Sequence, residues 1–262
     1  MKTSIAILLA LLLTLPALGS AAAADADKER DKDALPARAQ EITPSPEWVK
    51  ALDAAQDETV KQLIVVAGTG MDKSTATVSM HERGRSGAWK QLFSVPAFVG
   101  RNGLCRDEDH AEGCGQTPIG TYHFNRAFGI AEDPGCAIPY VQADSYTYWS
   151  GDEREGMHYN EMVDIRDYPG LDLTNSEKIV DCVHEYRYCL NISFNEEGAP
   201  GRGSAIFLHC CGLHKPYTSG CVAVPEGTMK RIMQTVSPDC VVVIDTLENL
   251  GGQLSVPVRP DR

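Results

Sequence analysis

The sequence predicts a mainly β domain of the α+β class with a few short helices, and three observations support this. Short apolar runs follow one another at residues 63–67, 75–80 and 89–95, as in a meander of consecutive strands. Amphipathic helical patterns are brief, the clearest being residues 225–236, with weaker ones at 46–55 and 175–188. The 262 residues allow one domain with a full core.

The chain divides into three predicted segments. Residues 1–24 have one early lysine, an apolar run and an alanine-rich end, which is typical of a cleaved export signal. Residues 25–45 are small and charged and predict a disordered charged linker, and residues 46–262 form the single folded domain. The apolar run is too short to span a bilayer comfortably and no later stretch is apolar enough. We therefore predict an exported protein without an integral membrane segment after signal cleavage.

The net charge of the chain is strongly negative. Thirty-six acidic residues against 24 basic ones give a formal charge of −12 at pH 7. Affinity for nucleic acid comes from neutralising phosphates with lysine and arginine, so this composition argues against a nucleic-acid partner.

Nine cysteines, all beyond position 100, predict disulfide bonds in an exported protein. Cys105–Cys114 and Cys182–Cys189 are the expected local pairs, because each would close a short polar loop. Four more could form two further pairs with open connectivity, namely Cys136, Cys210, Cys211 and Cys240. An odd total leaves at least one cysteine unpaired, and Cys221 is the remaining residue.

A histidine and a cysteine in residues 203–226 have the arrangement that a thiol nucleophile needs. The apolar run 205–208 predicts a buried strand that ends at His209, and a turn-rich loop leads to Gly220 and Cys221 before the apolar run 222–224. A base within hydrogen-bond distance activates the thiol, and a glycine lets backbone N–H groups approach the reacting carbonyl. His209 is the predicted base, and His214 on the same loop is the alternative.

Two motifs resemble the YkuD-type L,D-transpeptidases, which cross-link peptidoglycan. The first is Phe207-Leu208-His209 followed by Thr218-Ser219-Gly220-Cys221-Val222, and the second is Thr117-Pro118-Ile119-Gly120-Thr121-Tyr122. The family usually has His at the position of Ser219 and Arg or Asn at that of Ala223. The resemblance implies a β-sandwich or barrel that acts on peptidoglycan stem peptides in the periplasm or cell wall, with no cofactor and no metal.

The resemblance also implies roles for residues. Cys221 would attack the carbonyl that precedes a terminal D-residue and His209 would take its proton. Backbone groups around Ser219 and Gly220, including the N–H of Cys221, would hold the oxyanion. Residues 125–170 are irregular and rich in aromatics, which is typical either of a segment covering a site or of loops packed on a sheet. From this segment Trp149, Tyr159 and Asn160 are candidates for substrate binding.

Three alternatives remain open at the level of sequence. Water could replace the amine acceptor, which would make the protein an L,D-carboxypeptidase. The chain could instead be a non-catalytic wall-binding module braced by disulfides or zinc. Five possible zinc ligands lie within thirteen residues, although their spacing does not match the usual zinc motifs: His209, Cys210, Cys211, His214 and Cys221.

Overall fold

The computed structural model describes residues 42–253, and its main feature is a closed sheet of eight strands. The described residues form fourteen strands, eight of which make up this sheet: β1 (Thr43–Pro44), β2 (Gln62–Gly68), β3 (Thr75–Arg83), β4 (Trp89–Phe98), β5 (Leu104–Arg106), β6 (Thr117–Gly129), β7 (Tyr140–Gln142), β8 (Thr147–Trp149), β9 (Met162–Asp164), β10 (Glu177–Lys178), β11 (Cys189–Ile192), β12 (Phe207–Cys210), β13 (Val222–Val224) and β14 (Val241–Thr246). Neighbours run in the order β4-β13-β12-β11-β6-β14-β2-β3, and β3 pairs with β4 again, which closes a barrel. The predicted mainly β fold is confirmed.

The predicted meander forms the first part of this barrel. Strands β2, β3 and β4 are consecutive and antiparallel, while β14 joins β2 in parallel. Ile64 and Val66 lie in the main core, whereas Leu63 and Val65 lie in a second core on the other face. Because β2 is buried on both faces, its sequence is continuously apolar and does not alternate.

Helices occupy little of the described chain: α1 (Glu47–Lys50), α2 (Asp53–Gln56) and α3 (Glu226–Thr235). The pattern at residues 46–55 forms two short helices because Leu52 between them has an extended backbone (φ −62°, ψ 141°). Helix α3 matches the predicted helix closely and buries Met229, Ile232 and Met233.

The helix predicted for residues 175–188 is wrong. Strand β10 and two short 3₁₀ turns occupy this segment. Glu177 pairs with Trp149, and Lys178 pairs with Tyr148, in a separate sheet of order β10-β8-β9. Ile179 and Tyr186 are buried in an aromatic cluster. These long-range contacts override the local helical pattern.

The signal peptide and most of the linker predicted from sequence lie outside the described residues. At the end of that linker, Thr43 and Pro44 pair with β4, and the next residue, Ser45, is buried. Within residues 42–253, no helix has the length and apolarity needed to cross a membrane.

The nine cysteines are all free thiols in this structure. Disulfide bracing is therefore not shown, and the pairs Cys105–Cys114 and Cys182–Cys189 stay predictions. The members of the first pair lie close together, because their sulfur atoms and a nitrogen of His110 are all within 4.8 Å of one another.

Candidate active site

Cys221 and His209 border one cavity of about 600 Å³. Strands β12 and β13 are adjacent and parallel, with Leu208 opposite Val222, so Cys221 lies level with Phe207 at the start of β13. The parallel pairing brings together two residues that are twelve positions apart in the chain. A cavity of this size is typical of a small-molecule or peptide site.

The Cys221 thiol is buried and held by two backbone groups. Its S–H donates to the carbonyl of Ala205 at 3.1 Å, and the N–H of Phe207 donates to Sγ at 3.3 Å. The side chain joins an aromatic cluster that includes Trp149. Burial raises the pKa of the Cys221 thiol, and the nearby carboxylate of Glu177 raises it further. The free protein therefore holds a neutral thiol.

The His209 imidazole is oriented by its own strand. Its Nδ1 lies 2.7 Å from the carbonyl oxygen of Cys210 and must donate to it, since a carbonyl only accepts. Nε2 is then the nitrogen with the lone pair, and among residues 42–253 it has no hydrogen-bond partner. Burial lowers the pKa of His209, so the imidazole is neutral and able to accept a proton. His214 is exposed and does not border the cavity.

Thr117 connects the two sequence motifs. Its buried hydroxyl donates to the carbonyl of Gly220 at 2.6 Å and accepts the N–H of Gly100 at 2.9 Å. Gly220 has a φ of +150°, and an added Cβ would lie 3.0 Å from the carbonyl oxygen of Gln116. The loop before Cys221 thus needs glycine and is anchored on β6.

Some of the backbone N–H groups that are predicted to bind the oxyanion already form hydrogen bonds within the free protein. Ser219 and Gly220 both border the cavity, but the N–H of Gly220 donates to Thr218 Oγ1 at 3.1 Å. The exposed Ser219 hydroxyl accepts from Arg101 at 3.3 Å. The oxyanion role of these two residues stays a prediction.

Of the three predicted substrate-binding residues, Trp149 borders the cavity, and Tyr159 and Asn160 lie behind its wall. Asn160 Oδ1 accepts from Trp149 Nε1 at 3.0 Å and from the N–H of Ala205 at 2.9 Å, and its amide group donates to Phe194 and Asn195. Asn160 therefore positions Ala205, the residue whose carbonyl holds the Cys221 thiol.

Three glutamates border the cavity, Glu112, Glu177 and Glu185, and none of them was predicted from sequence. The Tyr159 hydroxyl donates to Glu112 Oε2, and the Tyr186 hydroxyl donates to Glu177 Oε2, each at 2.5 Å. Burial raises the pKa of Glu177, with a smaller contribution from Glu112. None of the three belongs to a recognisable motif, and Glu177 and Glu185 both lie inside the wrongly predicted helix.

The zinc ligands considered from sequence do not converge. Cys210 points into the main core, on the face of β12 opposite to Phe207, and His214 is exposed. Among the described residues, the group with suitable spacing for a metal is Cys105, His110 and Cys114. Both ring nitrogens of His110 already face carbonyl oxygens, Nδ1 at 2.7 Å and Nε2 at 3.0 Å. No ring nitrogen is therefore open to a metal there.

The chain was compared with solved structures, curated proteins and protein families. Two solved structures match over about half their own length. The helical cell shape determining protein Pgp2 from Campylobacter jejuni is 16% identical, over 71% of this chain and 48% of that one, with a TM-score of 0.36. The Ldtfm-avibactam carbamoyl enzyme is 11% identical, over 72% of this chain and 49% of that one, with a TM-score of 0.30.

No curated protein matches the chain. The family model described as the L,D-transpeptidase catalytic domain, YkuD, matches residues 58–244. That segment is well over half of the chain and contains both motifs and every residue that borders the cavity. The chain therefore belongs to the YkuD family of L,D-transpeptidase catalytic domains.

Proposed function

We propose that this protein is an exported cysteine acyltransferase that forms L,D-peptide bonds between peptidoglycan stem peptides. The observation that supports it most is the cavity bordered by both the buried Cys221 thiol and a His209 whose Nε2 has no partner among the described residues. The chemistry needs a nucleophile and a proton acceptor beside a substrate cavity, and Cys221, His209 and the space that they border fit these requirements. Export to the periplasm or cell wall is inferred from residues 1–24 and from the family's substrate.

The proposed reaction has two halves. In the first, the Cys221 proton moves to Nε2 of His209 and the sulfur attacks the carbonyl that precedes the terminal D-residue. The C–N bond breaks, the proton passes to the leaving amine, and a thioester remains on Cys221. In the second half, an amine of another stem attacks the thioester, a C–N bond forms, the C–S bond breaks, and the surplus amine proton returns to the thiol.

Hydrolysis of the same thioester is the second candidate function. Water in place of the amine would release the shortened stem and make the protein an L,D-carboxypeptidase. The cavity is open to solvent at the exposed side chains of Arg101, Glu112 and Lys215, which favours keeping this candidate.

Purified protein should be incubated with defined muropeptides and the products analysed by mass spectrometry. We expect cross-linked dimers, and a mass increase on Cys221 that corresponds to the acyl group. Cys221→Ala should abolish both while leaving the melting temperature within a few degrees. If the native protein forms no acyl adduct with any of these muropeptides, the non-catalytic wall-binding module becomes the correct interpretation.

A further inference from the structure

A series of hydrogen bonds behind the cavity wall ends at the Cys221 thiol. Asn160 Oδ1 accepts the N–H of Ala205 at 2.9 Å, and the carbonyl of Ala205 accepts the Cys221 S–H at 3.1 Å. The Asn160 amide donates to the carbonyls of Phe194 and Asn195 at 3.0 and 2.8 Å. Asn160 is 8% exposed and does not border the cavity, so its side chain acts within the protein.

These hydrogen bonds connect residues with strained backbone. Four non-glycine residues between positions 42 and 253 have a left-handed φ of +48° to +61°, and three of them are Asn160, Asn195 and Ala205. Asparagine tolerates this conformation, whereas in alanine it brings Cβ close to a carbonyl oxygen. Strained backbone persists where surrounding contacts hold it, and such residues cluster at functional sites. The hydrogen bond to Asn160 is a contact that holds Ala205.

Ala205 lies two residues before β12, the strand that carries the proposed base. The side chains of Ala205 and Phe207 pack with Cys221 in the aromatic cluster. Because side chains alternate along a strand, His209 lies on the same face of β12. The N–H of Phe207 donates to the sulfur at 3.3 Å. One short segment therefore supplies the two backbone groups that hold the sulfur and the imidazole proposed to take its proton.

We propose that Asn160 is a positioning residue for the Cys221 nucleophile and acts through the left-handed backbone of Ala205. The inference rests on the acyl transfer proposed above and gives a role to a residue outside both sequence motifs. Without the hydrogen bond to Asn160, Ala205 should relax to the extended conformation that alanine prefers, and its carbonyl should turn away from the sulfur. The thiol would then lose its acceptor and its fixed orientation relative to the His209 imidazole.

Asn160→Gly tests this role, because glycine tolerates the left-handed φ and the substitution removes only the side-chain amide. Infrared absorption of the S–H stretch measures the state of the thiol without any substrate. Subtraction of the spectrum of the matching Cys221→Ala protein isolates the Cys221 band, whose frequency is lowered by the carbonyl acceptor. We expect this band to move to higher frequency in Asn160→Gly.

Acylation of Cys221 by a defined stem peptide, followed by intact-mass spectrometry, measures the effect on the reaction. Asn160→Gly should slow acylation by about ten- to hundredfold at saturating peptide, because the sulfur is no longer held in its reactive position. The peptide concentration that gives the half-maximal rate should change by less than about threefold, because Asn160 does not border the cavity.

The control variant is Asn191→Ala. Asn191 is a second buried asparagine, 4% exposed, whose amide donates to Asn125 on the adjacent strand and which does not border the cavity. This variant should also lower the melting temperature, yet it should keep the S–H band and the acylation rate of the parent protein. All rates are compared at a temperature at which circular dichroism shows each variant to be folded.

A second substitution keeps the test decisive if Asn160→Gly does not fold. Asn160→Asp has the same shape and keeps an oxygen for the Ala205 N–H, so the S–H band should stay in place and acylation should remain within about fivefold of the parent rate. A band displaced in Asn160→Asp, a band unchanged in Asn160→Gly, or equal slowing of acylation in Asn160→Gly and Asn191→Ala would overturn the positioning role.

The two measurements separate this role from the acyl transfer itself. If stem peptides never acylate the parent protein while the S–H band moves in Asn160→Gly, the acyl transfer is refuted and the positioning of the thiol stands. If the parent protein is acylated and Asn160→Gly reacts at the same rate, the positioning role is refuted and the acyl transfer stands.

Discussion

At the residue scale, Cys221 and His209 are both neutral in the free protein, because burial raises the pKa of the thiol and lowers that of the imidazole. Reactive cysteines usually form an ion pair with histidine that stabilises the thiolate. Here the thiol donates to the Ala205 carbonyl, so the proton must leave during attack. Substrate binding is the step that can change the protonation states of the thiol and the imidazole.

Alkylation of Cys221 tests the neutral thiol. A thiol with a raised pKa stays protonated through pH 8, so iodoacetamide should modify Cys221 in native protein at least about tenfold more slowly than in unfolded protein at that pH. The rate of alkylation of Cys221 in the native protein should rise continuously up to pH 9, without a titration midpoint below that pH. Peptide mapping of the alkylated protein measures it, and a midpoint below pH 8 would contradict the assignment.

The two histidines of the nucleophile region should differ in their effect on acylation. His209→Ala should slow thioester formation by about 10²–10⁴-fold, the range for loss of a positioned proton acceptor, because His209 borders the cavity. His214→Ala should cost less than about threefold, because that side chain is exposed. In unsubstituted protein the acid limb of acylation should have its midpoint below pH 6.5. The reverse order of the two variants would identify His214 as the base.

At the element scale, the position of the Cys221 thiol, the proposed nucleophile, depends on three segments that are distant in the chain. Thr117 on β6 holds the loop before Cys221, and Asn160 holds Ala205, whose carbonyl accepts from the thiol. Asn160 and Ala205 both have positive φ, 61° and 57°, and asparagine adopts this conformation more readily than most residues. These supports fix the position of the sulfur before any substrate arrives.

Substitution of Thr117 tests the link between β6 and the nucleophile loop. Thr117→Val keeps the shape but leaves the Gly220 carbonyl and the Gly100 N–H without their partner, so it should destabilise the protein by about 1–3 kcal/mol. It should also slow acylation by roughly tenfold or more. Thr117→Ser retains the hydroxyl and should therefore keep most of the stability and most of the acylation rate of the parent protein. Equal effects of Val and Ser, measured by denaturant unfolding and intact mass, would contradict this role.

At the scale of the whole molecule, one buried histidine makes stability depend on pH. His81 is fully buried between the hydroxyls of Ser45 and Ser79, and burial lowers its pKa to about 4. An unfolded histidine titrates near 6.5, so the unfolded state binds the proton more readily between these values. The folded state is therefore disfavoured as the pH falls through this window.

The free energy of unfolding should decrease by about 3 kcal/mol from this group between pH 6.5 and pH 4. His81→Gln cannot titrate and can still bond both serines, so it should flatten this part of the stability curve. Urea unfolding at several pH values measures the slope. The same slope in the variant and the parent protein would exclude His81 as its cause.

Oxidation state is the second property of the whole molecule. Cys105 and Cys114 lie close enough that exported protein should contain their disulfide, which would stabilise the fold by about 2–3 kcal/mol. Non-reducing peptide mapping should recover this bridge with Cys221 still a free thiol, and reductant should lower the melting temperature without loss of the nucleophile. Ready alkylation of Cys105 and Cys114 in native exported protein would contradict the bridge.

Much of the fold could be predicted from sequence, as could the two residues of the proposed catalytic pair that border one cavity. Local patterns of apolar residues predict the strands near residues 63–67 and 75–80 and helix α3. These patterns are sufficient because the apolar residues that form them are the residues buried in the core. The cavity position of Cys221 and His209 agrees with the two motifs, which contain a strand end, a glycine turn and the proposed nucleophile within short segments.

The remaining features of the fold and of the site depend on tertiary structure and could not be predicted from sequence. Residues 175–188 pair with β8 and pack on the aromatic cluster, so their helical pattern is overridden. The roles of Asn160, Glu112 and Glu177 depend on which residues they meet across gaps of nine to 47 positions. Burial, which sets the neutral state of Cys221 and His209, is likewise a property of the packed barrel. These contacts cannot be predicted from a local sequence pattern. Each one forms only when segments that are distant in the sequence come together in the folded chain, around the same cavity.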